Sequence, residues 1–242
     1  MTIPKNIITV SGIEVKVVRK SIKNLHLGVY PPDGRVRVAV PAHVTDDNVR
    51  LAVISKLGWI KRQQKDFRKQ PRQSVRKYVS GECHYVFGKR YRLQVIEREE
   101  KQAVEALKSG KLKMYVKPQA STESKEKLLN AWYREELKKR IPELLDKWHP
   151  VIGRKAREWG IKKMKTKWGS CNKEARRIWL NLELAKKPLE CLEYILVHEL
   201  AHLHERHHNQ RFKELMDRYL PNWRNRQKIL NSSPLAHEGW QY

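Results

Sequence analysis

Five histidines lie within eleven residues of the segment LVHELAHLHERHHNQRF, which covers residues 196–212. Two of them, His198 and His202, are separated by one helical turn and enclose Glu199, so they form an HExxH motif. Residues four apart lie on one face of an α-helix, about 6 Å apart along its axis, so both imidazole rings can reach one metal ion. The intervening glutamate can then act as a general base on a water molecule at that ion. The spacing therefore predicts a metal-dependent hydrolytic site.

The residues around the motif predict that this helix is buried. Its neighbours are apolar on nearly every side, namely Leu192, Tyr194, Ile195, Leu196, Val197, Leu200, Ala201 and Leu203. Burying a carboxylate and two imidazole rings costs free energy unless hydrogen bonds or a cation compensate. A zinc ion would provide this compensation, and the alternative is an ordinary pair of buried, hydrogen-bonded histidines. We therefore expect Zn²⁺ as the cofactor.

A third metal ligand must come from the histidines that follow. On a continuous helix His204 points about 200° away from His202, and His207 and His208 lie too far along the axis. The helix must therefore end soon after His202, and a chain that folds back would bring His208 to the metal. His207 remains the competing candidate, whereas His204 is expected to stay at the surface or to support the site. Asn209 can cap the helix that follows.

The elements that must position the motif can be inferred from periodicity. Alternating apolar and polar residues predict two blocks of strands, an antiparallel meander over residues 7–40 and a second block over residues 83–117. Thr45 is expected to cap an amphipathic helix between the blocks. A polar, basic linker over residues 69–77 separates that helix from the second block.

The region between the second block and the motif changes to helical spacing at Ser121. A long helix is expected first, followed by a short helix from Gly153 to Trp159. Two strands are then expected over residues 164–168 and 178–184, of which the second alternates strictly between apolar and polar residues.

These patterns together predict an α+β fold. A β-rich N-terminal region over residues 1–118 precedes a mainly helical region over residues 119–242, which contains a short sheet and carries the motif. No internal repeat is evident in the sequence.

Positive charge is the most unusual feature of the composition. Lys and Arg number 52 against 26 Asp and Glu, which gives a net charge of +26. The excess is concentrated in residues 50–77, with ten basic residues and one acidic residue, and in residues 154–177, with ten and two. Such a balance favours a polyanion as partner or substrate, namely DNA, RNA, nucleotide phosphates or an acidic surface. The alternative is a solvated basic surface without a partner.

The three cysteines and the N-terminus bear on the cellular compartment. Cys83, Cys171 and Cys191 are too scattered for a disulfide framework or a zinc ribbon, which predicts reduced thiols. The N-terminal residues lack the pattern of a signal peptide, and no apolar stretch has the length of a membrane span. We expect a soluble, cytoplasmic protein without a membrane partner.

Several motifs extend from the histidine cluster over most of the chain. The C-terminal ones are KWGSC (167–171), IWLNLEL (178–184), HELAHLHERHHNQRF (198–212) and LPNW (220–223). The N-terminal ones are RKS (19–21), DGRV (33–36), WI (59–60) and GxxxxxxGxxYxL (81–93). Together they resemble the YgjP-like metallopeptidase family, relatives of the SprT-like zincins. The strong positive charge is not part of the family pattern.

The resemblance implies a zincin-like metal-binding catalytic region over residues 119–242. Its zinc ligands would be His198, His202 and His208, with Glu199 as the general base. It also implies that residues 178–184 form the strand bordering the active-site cleft, along which an extended peptide could pair. No chemical role for KWGSC follows from the residues themselves.

Three functions compete at this stage. The favoured one is a zinc-dependent metallopeptidase acting on a protein or peptide, in which zinc lowers the pKa of its water to about 7 and Glu199 transfers the proton. The alternative is a metal-dependent nucleoside triphosphate pyrophosphohydrolase, an activity that the resemblance also implies, although the chain has no P-loop. The third is a nucleic-acid-binding module with a structural zinc ion, which would have no use for Glu199. Candidates for oxyanion stabilisation are Tyr194, Trp168 and Arg206.

Overall fold

The chain folds into two compact units, Met1–Gln73 and Ser74–Ala236. The computed structural model describes residues 6–30, 34–69, 76–164 and 167–232. The expected linker over residues 69–77 lies largely outside the described residues. Both units mix strands with helices, so the fold is α+β as predicted. Among the described residues, no helix has the combined length and apolar character required to cross a bilayer.

The first unit begins with a four-stranded sheet. Its strands are β1 (Asn6–Val10), β2 (Ile13–Lys20), β3 (His26–Tyr30) and β4 (Arg35–Pro41), in the order β1-β2-β4-β3. The expected antiparallel meander was wrong, because β2 and β4 are neighbours and run parallel. Alternation of apolar residues is the same in parallel and antiparallel strands, so it reveals strands but not their lateral order.

Two helices pack on one face of this first sheet. They are α1 (Asp46–Ser55) and α2 (Leu57–Lys69), which replace the single helix expected there. Thr45 caps α1 as predicted, since its hydroxyl oxygen accepts the backbone N–H of Asn48 (3.4 Å). The core between helices and sheet consists of apolar side chains such as Val15, Val38 and Ile60, which are fully buried.

The second unit begins with a second four-stranded sheet and a long helix. The elements are β5 (Cys83–Val86), β6 (Lys89–Glu97), β7 (Ala103–Ala106), β8 (Lys111–Val116) and α3 (Thr122–Ile152). The strand order β5-β6-β8-β7 repeats that of the first sheet, including the parallel central pair. The chain therefore contains two copies of one topology. The transition expected at residue 118 falls inside this unit, between the end of β8 and the start of α3.

A third, three-stranded sheet follows α3. Its strands are β9 (Glu158–Lys162), β10 (Gly169–Asn172) and β11 (Arg177–Asn181), in the order β10-β11-β9. The helix expected from Gly153 to Trp159 was wrong, because Gly153 adopts a positive φ of 73° and ends α3. The first of the two strands expected next, over residues 164–168, lies partly outside the described residues, since residues 165 and 166 are not among them. In the described part of the chain β9 ends before this span and β10 begins after it.

The second expected strand, residues 178–184, ends early. Asn181 is responsible, because its side-chain oxygen accepts the N–H of Glu183 (3.1 Å) and its amide donates to the carbonyls of Met164 (2.9 Å) and Lys167 (2.7 Å). The bond to Glu183 caps a 3₁₀ helix over Leu182–Lys186, and the two amide bonds hold the preceding segment. Local side-chain bonding to the backbone competes with continuation of a strand.

Three helices complete the second unit. They are α4 (Leu189–Ala201), which carries the HExxH motif, α5 (Gln210–Tyr219) and α6 (Trp223–Ser232). The prediction that α4 is buried is confirmed, since Leu192, Leu196 and Leu200 are fully inaccessible to solvent. Asn209 caps α5 as expected, accepting the N–H of Phe212 (3.0 Å).

Candidate active site

Three histidine rings converge at the C-terminal end of α4. His198 and His202 lie one turn apart, with ring centroids 4.9 Å from each other. The His208 Nε2 atom lies 2.9 Å from the His198 Nε2 atom. One ring nitrogen from each of the three side chains lies within 4.8 Å of the others. This spacing fits three nitrogen ligands around one tetrahedral metal ion, for which metal–nitrogen distances are about 2.0–2.1 Å.

The chain turns back directly after α4, and this turn brings His208 to the other two rings. The turn is held from outside by two side chains: Arg154 donates to the Leu203 carbonyl (2.5 Å) and Lys173 donates to the His204 carbonyl (3.1 Å). The helix thus ends soon after His202, as the spacing argument required. Both supporting cations come from segments distant in sequence, so the motif alone could not indicate them.

The two other histidines of the cluster face elsewhere. The His204 Nε2 atom lies 2.9 Å from the carbonyl oxygen of Ile152, the last residue of α3. His207 is exposed, and its backbone N–H donates to the Glu205 carboxylate (3.1 Å). Neither ring belongs to the group that could hold a metal ion. Their role as non-ligands stays a prediction.

The environment keeps the rings of His198 and His202 neutral. Burial, aided by the two neighbouring histidines, lowers the pKa of His198 to about 3. Burial also lowers the pKa of His202, whose Nδ1 atom lies 2.9 Å from the Glu205 carbonyl. With Nδ1–H donated to that carbonyl, the lone pair of His202 is on Nε2. Neutral imidazole in a fixed tautomer is the form that binds a metal ion.

Glu199 is a buried carboxyl group on the same helix. Glu199 is only 4% exposed. Burial raises the pKa of its carboxyl group to about 8, and the charge of Lys167 opposes this rise with a smaller effect. The carboxyl group lies against Gly169 of β10, where a Cβ atom would come within 2.5 Å of the Glu199 Oε1 atom. The glycine of KWGSC therefore has a structural role that sequence reasoning missed. The strand expected over residues 164–168 ended before Gly169, so no pattern in the sequence indicated this close approach.

A cleft of about 640 Å³ opens over these groups. Its walls are α4, residues 167–174 around β10, and the side chains of Gln227, Leu230 and Asn231 on α6. The expectation that residues 178–184 border the cleft was wrong. In the described sheet β11 is the central strand, paired on both sides, and β10 is the edge strand that lines the cleft.

The three candidates for oxyanion stabilisation, Tyr194, Trp168 and Arg206, all line the cleft. Tyr194 packs edge-on against His198, with ring centroids 5.9 Å apart, and stacks on Trp223 of α6. Burial and the charge of Glu199 raise the pKa of Tyr194 to about 12. Its hydroxyl group therefore stays protonated and remains a hydrogen-bond donor at neutral pH.

A buried ion pair fixes α6 against α4 beside the cleft. The Glu193 carboxylate on α4 accepts hydrogen bonds from Arg226 on α6 and from Lys147 (2.7 Å) and Trp148 (3.0 Å) on α3. These donors hold the pKa of Glu193 below its usual value despite burial. Removing one partner of such a pair is costly, because it leaves the other charge buried and uncompensated.

An HExxH helix that lies under an edge strand, with a third histidine folded back onto it, is the arrangement of metallopeptidases. The model of the YgjP-like metallopeptidase domain matches residues 23–233, and the chain belongs to the YgjP-like metallopeptidase family. Among the curated proteins compared, none matches. Among solved structures, the chain is similar to the metallopeptidase zymogen abylysin of Pyrococcus abyssi, with 24% identity, coverage of 37% of this chain and 87% of that one, and a TM-score of 0.33.

Proposed function

We propose that this chain is a zinc-dependent peptidase in which His198, His202 and His208 hold the metal ion and Glu199 is the general base. One observation carries the proposal: three imidazole nitrogens converge within 4.8 Å of one another. They line a cleft, and the buried carboxyl group of Glu199 lines it beside them. Three neutral nitrogen ligands are the donor set of a catalytic zinc site, which leaves one position for water or substrate. A structural site would use four protein ligands and no adjacent base.

When bound, the metal ion would lower the pKa of a water molecule and polarise the carbonyl group of the substrate. The residues of this chain move the proton. Glu199 takes it from the attacking water and returns it to the leaving amine, and the burial that raises the pKa of Glu199 favours holding the proton between the two transfers. The buried position of Glu199 under Gly169 fixes the direction in which its carboxyl group faces.

The edge strand β10 supplies a binding surface for an extended peptide. The backbone N–H of Asn181 on β11 donates to the Trp168 carbonyl (2.9 Å), just before β10. Because bonded and non-bonded positions alternate in an antiparallel pair, the backbone groups of Gly169 and Cys171 face away from β11. Both residues line the cleft. A substrate strand pairing with them would carry its peptide bond past Glu199.

Hydrolysis of a nucleoside triphosphate with release of pyrophosphate is the second candidate, since Lys167, Lys173 and Arg206 line the same cleft. Lys173 is already hydrogen-bonded to the His204 carbonyl. A triphosphate also needs several converging donors, often from a glycine-rich loop. Gly169 is the one glycine among the described residues lining the cleft. The cleft therefore favours an extended peptide.

The test compares the zinc-loaded protein with its Glu199→Gln variant on two kinds of substrate. One is an unfolded protein, and the other is each ribonucleoside triphosphate in turn. We expect cleavage of the unfolded protein by the wild-type chain and none by the variant. Consumption of a triphosphate alone, dependent on Glu199, would replace the peptidase with the pyrophosphohydrolase.

A further inference from the structure

The first sheet has one packed face and one outward face. Side chains alternate between the two faces along each strand, and the packed face carries buried valines such as Val15, Val17 and Val38. The outward face carries the charged side chains of the two central strands, namely Glu14, Lys16 and Lys20 on β2 and Arg35 and Arg37 on β4. Four of these five residues are basic, so this face is strongly positive.

Two of these basic residues are directly opposite each other. Lys16 pairs in register with Arg37 across the parallel strands β2 and β4. Within the described part of the chain neither residue forms an ion pair, and the Arg37 Nε atom is buried without a hydrogen-bond partner. Like charges at directly opposite positions destabilise a sheet. An anion bound to this face would remove the repulsion.

The same arrangement occurs in the second sheet, although the two sheets are separated in the sequence. Arg92 on β6 pairs in register with Lys111 on β8, again at the parallel centre of the sheet. Arg92 and Lys111 are both exposed. Unlike Arg37, whose Nε atom is buried, these two cations are open to solvent, so the first sheet is the better candidate for an anion site.

An aromatic ring lies beside the basic pair of the first sheet. Gly28 on β3 is opposite Arg37, and a Cβ atom at Gly28 would come within 2.7 Å of the Tyr30 ring. The ring therefore lies over the glycine, on the outward face. Tyr30, Lys16 and Arg37 line a cavity of about 470 Å³, together with Ile7, Glu14 and Arg35 among others. A cavity of this size accommodates a small aromatic group.

The basic tract over residues 154–177 is less suited to bind a polyanion, because many of its cations have partners within the fold. Arg154 and Lys173 hold the turn after α4, Lys163 pairs with Glu126 (2.8 Å), and Arg177 pairs with Glu158 (2.5 Å). Four of the ten cations of this tract therefore have partners within the second unit. The outward face of the first sheet is the better candidate for the polyanion site that the net charge predicts.

We propose that the outward face of the first sheet binds single-stranded nucleic acid, with Lys16 and Arg37 at phosphates and Tyr30 stacked on a base. The phosphates of a nucleic acid form a regular series of negative charges, which complements the positive charge of this face. An aromatic ring on an open four-stranded sheet stacks on bases only when they are unpaired, which selects a single strand over a duplex. The site is independent of the proposed peptidase activity, because it lies on a different compact unit from the cleft.

The test measures binding of the full-length protein to labelled oligothymidylate and oligouridylate of about 12 nucleotides and to a duplex of equal length, by fluorescence anisotropy at about 50 mM salt. We expect either single strand to bind more tightly than the duplex. The Lys16→Gln/Arg37→Gln variant should bind at least about tenfold more weakly. The slope of log affinity against log salt concentration should become shallower by the amount expected for about two lost phosphate contacts. Tyr30→Ala should weaken binding by about tenfold, and Tyr30→Phe should not.

The matched control removes two exposed charges outside the first sheet and outside both basic tracts, in the variant Lys101→Gln/Lys108→Gln, and should change affinity by less than about threefold. Glu199→Gln should bind as the wild type does, whatever its hydrolytic activity. The thermal midpoint of the Lys16→Gln/Arg37→Gln variant should not fall, because a repulsive pair has been removed. If that variant fails to fold, Lys16→Gln alone should still weaken binding by about threefold. Tighter binding of the duplex, or equal losses in the two double variants, would overturn the proposal.

Discussion

Gly169 leaves the space that the Glu199 carboxyl group occupies. A Cβ atom at Gly169 would lie 2.5 Å from the Glu199 Oε1 atom and 2.8 Å from its carboxyl carbon. Neither group can shift easily, since Gly169 is paired in β10 and Glu199 is buried on α4. The position of the proposed general base therefore depends on the absence of a side chain in the neighbouring strand.

The first prediction concerns this contact. Gly169→Ala should lower kcat by about tenfold to a hundredfold, because a displacement of about 1 Å at a catalytic group has that effect. Zinc content should stay unchanged, since the three atoms nearest to the new methyl group all belong to Glu199 and not to a histidine. Gly58→Ala is the control, because its Cβ atom would meet nothing within 4 Å. An unchanged kcat in Gly169→Ala would mean that Glu199 does not act from this position.

The second prediction separates the base from the ligands. Glu199→Gln should keep about one zinc ion per chain and lose turnover, whereas His202→Ala should lose both. Glutamine preserves the shape of the side chain but cannot accept the proton. Metal analysis after dialysis, beside the unfolded-protein assay, distinguishes the two variants. Loss of zinc from Glu199→Gln would make the carboxylate a ligand instead.

The third prediction concerns the choice among the later histidines. His208→Ala should weaken zinc affinity by more than about a hundredfold, because it removes a ligand, and His207→Ala should leave it within about tenfold. His204→Ala should also stay within about tenfold, although it removes the contact with the Ile152 carbonyl that supports the turn. Competition with a zinc chelator measures all three. If only His207→Ala released the metal, the third ligand would be one residue earlier.

The fourth prediction concerns stability against pH. His84 is 4% exposed, and burial lowers its pKa from 6.5 to about 4, aided by Arg76 and opposed by Glu82. Between these two values the unfolded chain binds a proton that the folded chain does not, so the free energy of unfolding falls as pH falls. The contribution of His84 should be at most about 3 kcal/mol.

Urea unfolding of the metal-free protein at several pH values between 6.5 and 4 measures this effect. His84→Gln is the matched variant, because glutamine retains a donor for Glu82 but does not titrate. We expect a smaller loss of stability in the variant than in the wild type over this interval. An equal loss in both proteins would show that His84 binds a proton equally well in the folded and unfolded chains.

The HExxH helix and its burial were predictable from the sequence because they depend on local geometry. The interval of four residues places His198 and His202 on one face in any α-helix. The apolar residues around them required a buried helix. The same geometry excluded His204 and required a turn after His202. The sequence also favoured His208 over His207 as the third ligand, which stays a prediction. The side chains that hold the turn, Arg154 and Lys173, come from distant segments and could not be inferred from the motif.

The lateral order of the strands and the use of KWGSC were decided by the tertiary structure. Periodicity detects a strand but does not specify its neighbours, so the parallel pair of β2 and β4 and the edge position of β10 could not be inferred. Gly169 has no side chain to leave a pattern, and its role exists only where β10 crosses Glu199. The sequence alone determined which residues have the chemistry, because that depends on residue type and helical spacing. The tertiary structure decided what lies beside these residues. Packing of distant strands onto α4 placed the edge of β10 and the space left by Gly169 next to Glu199.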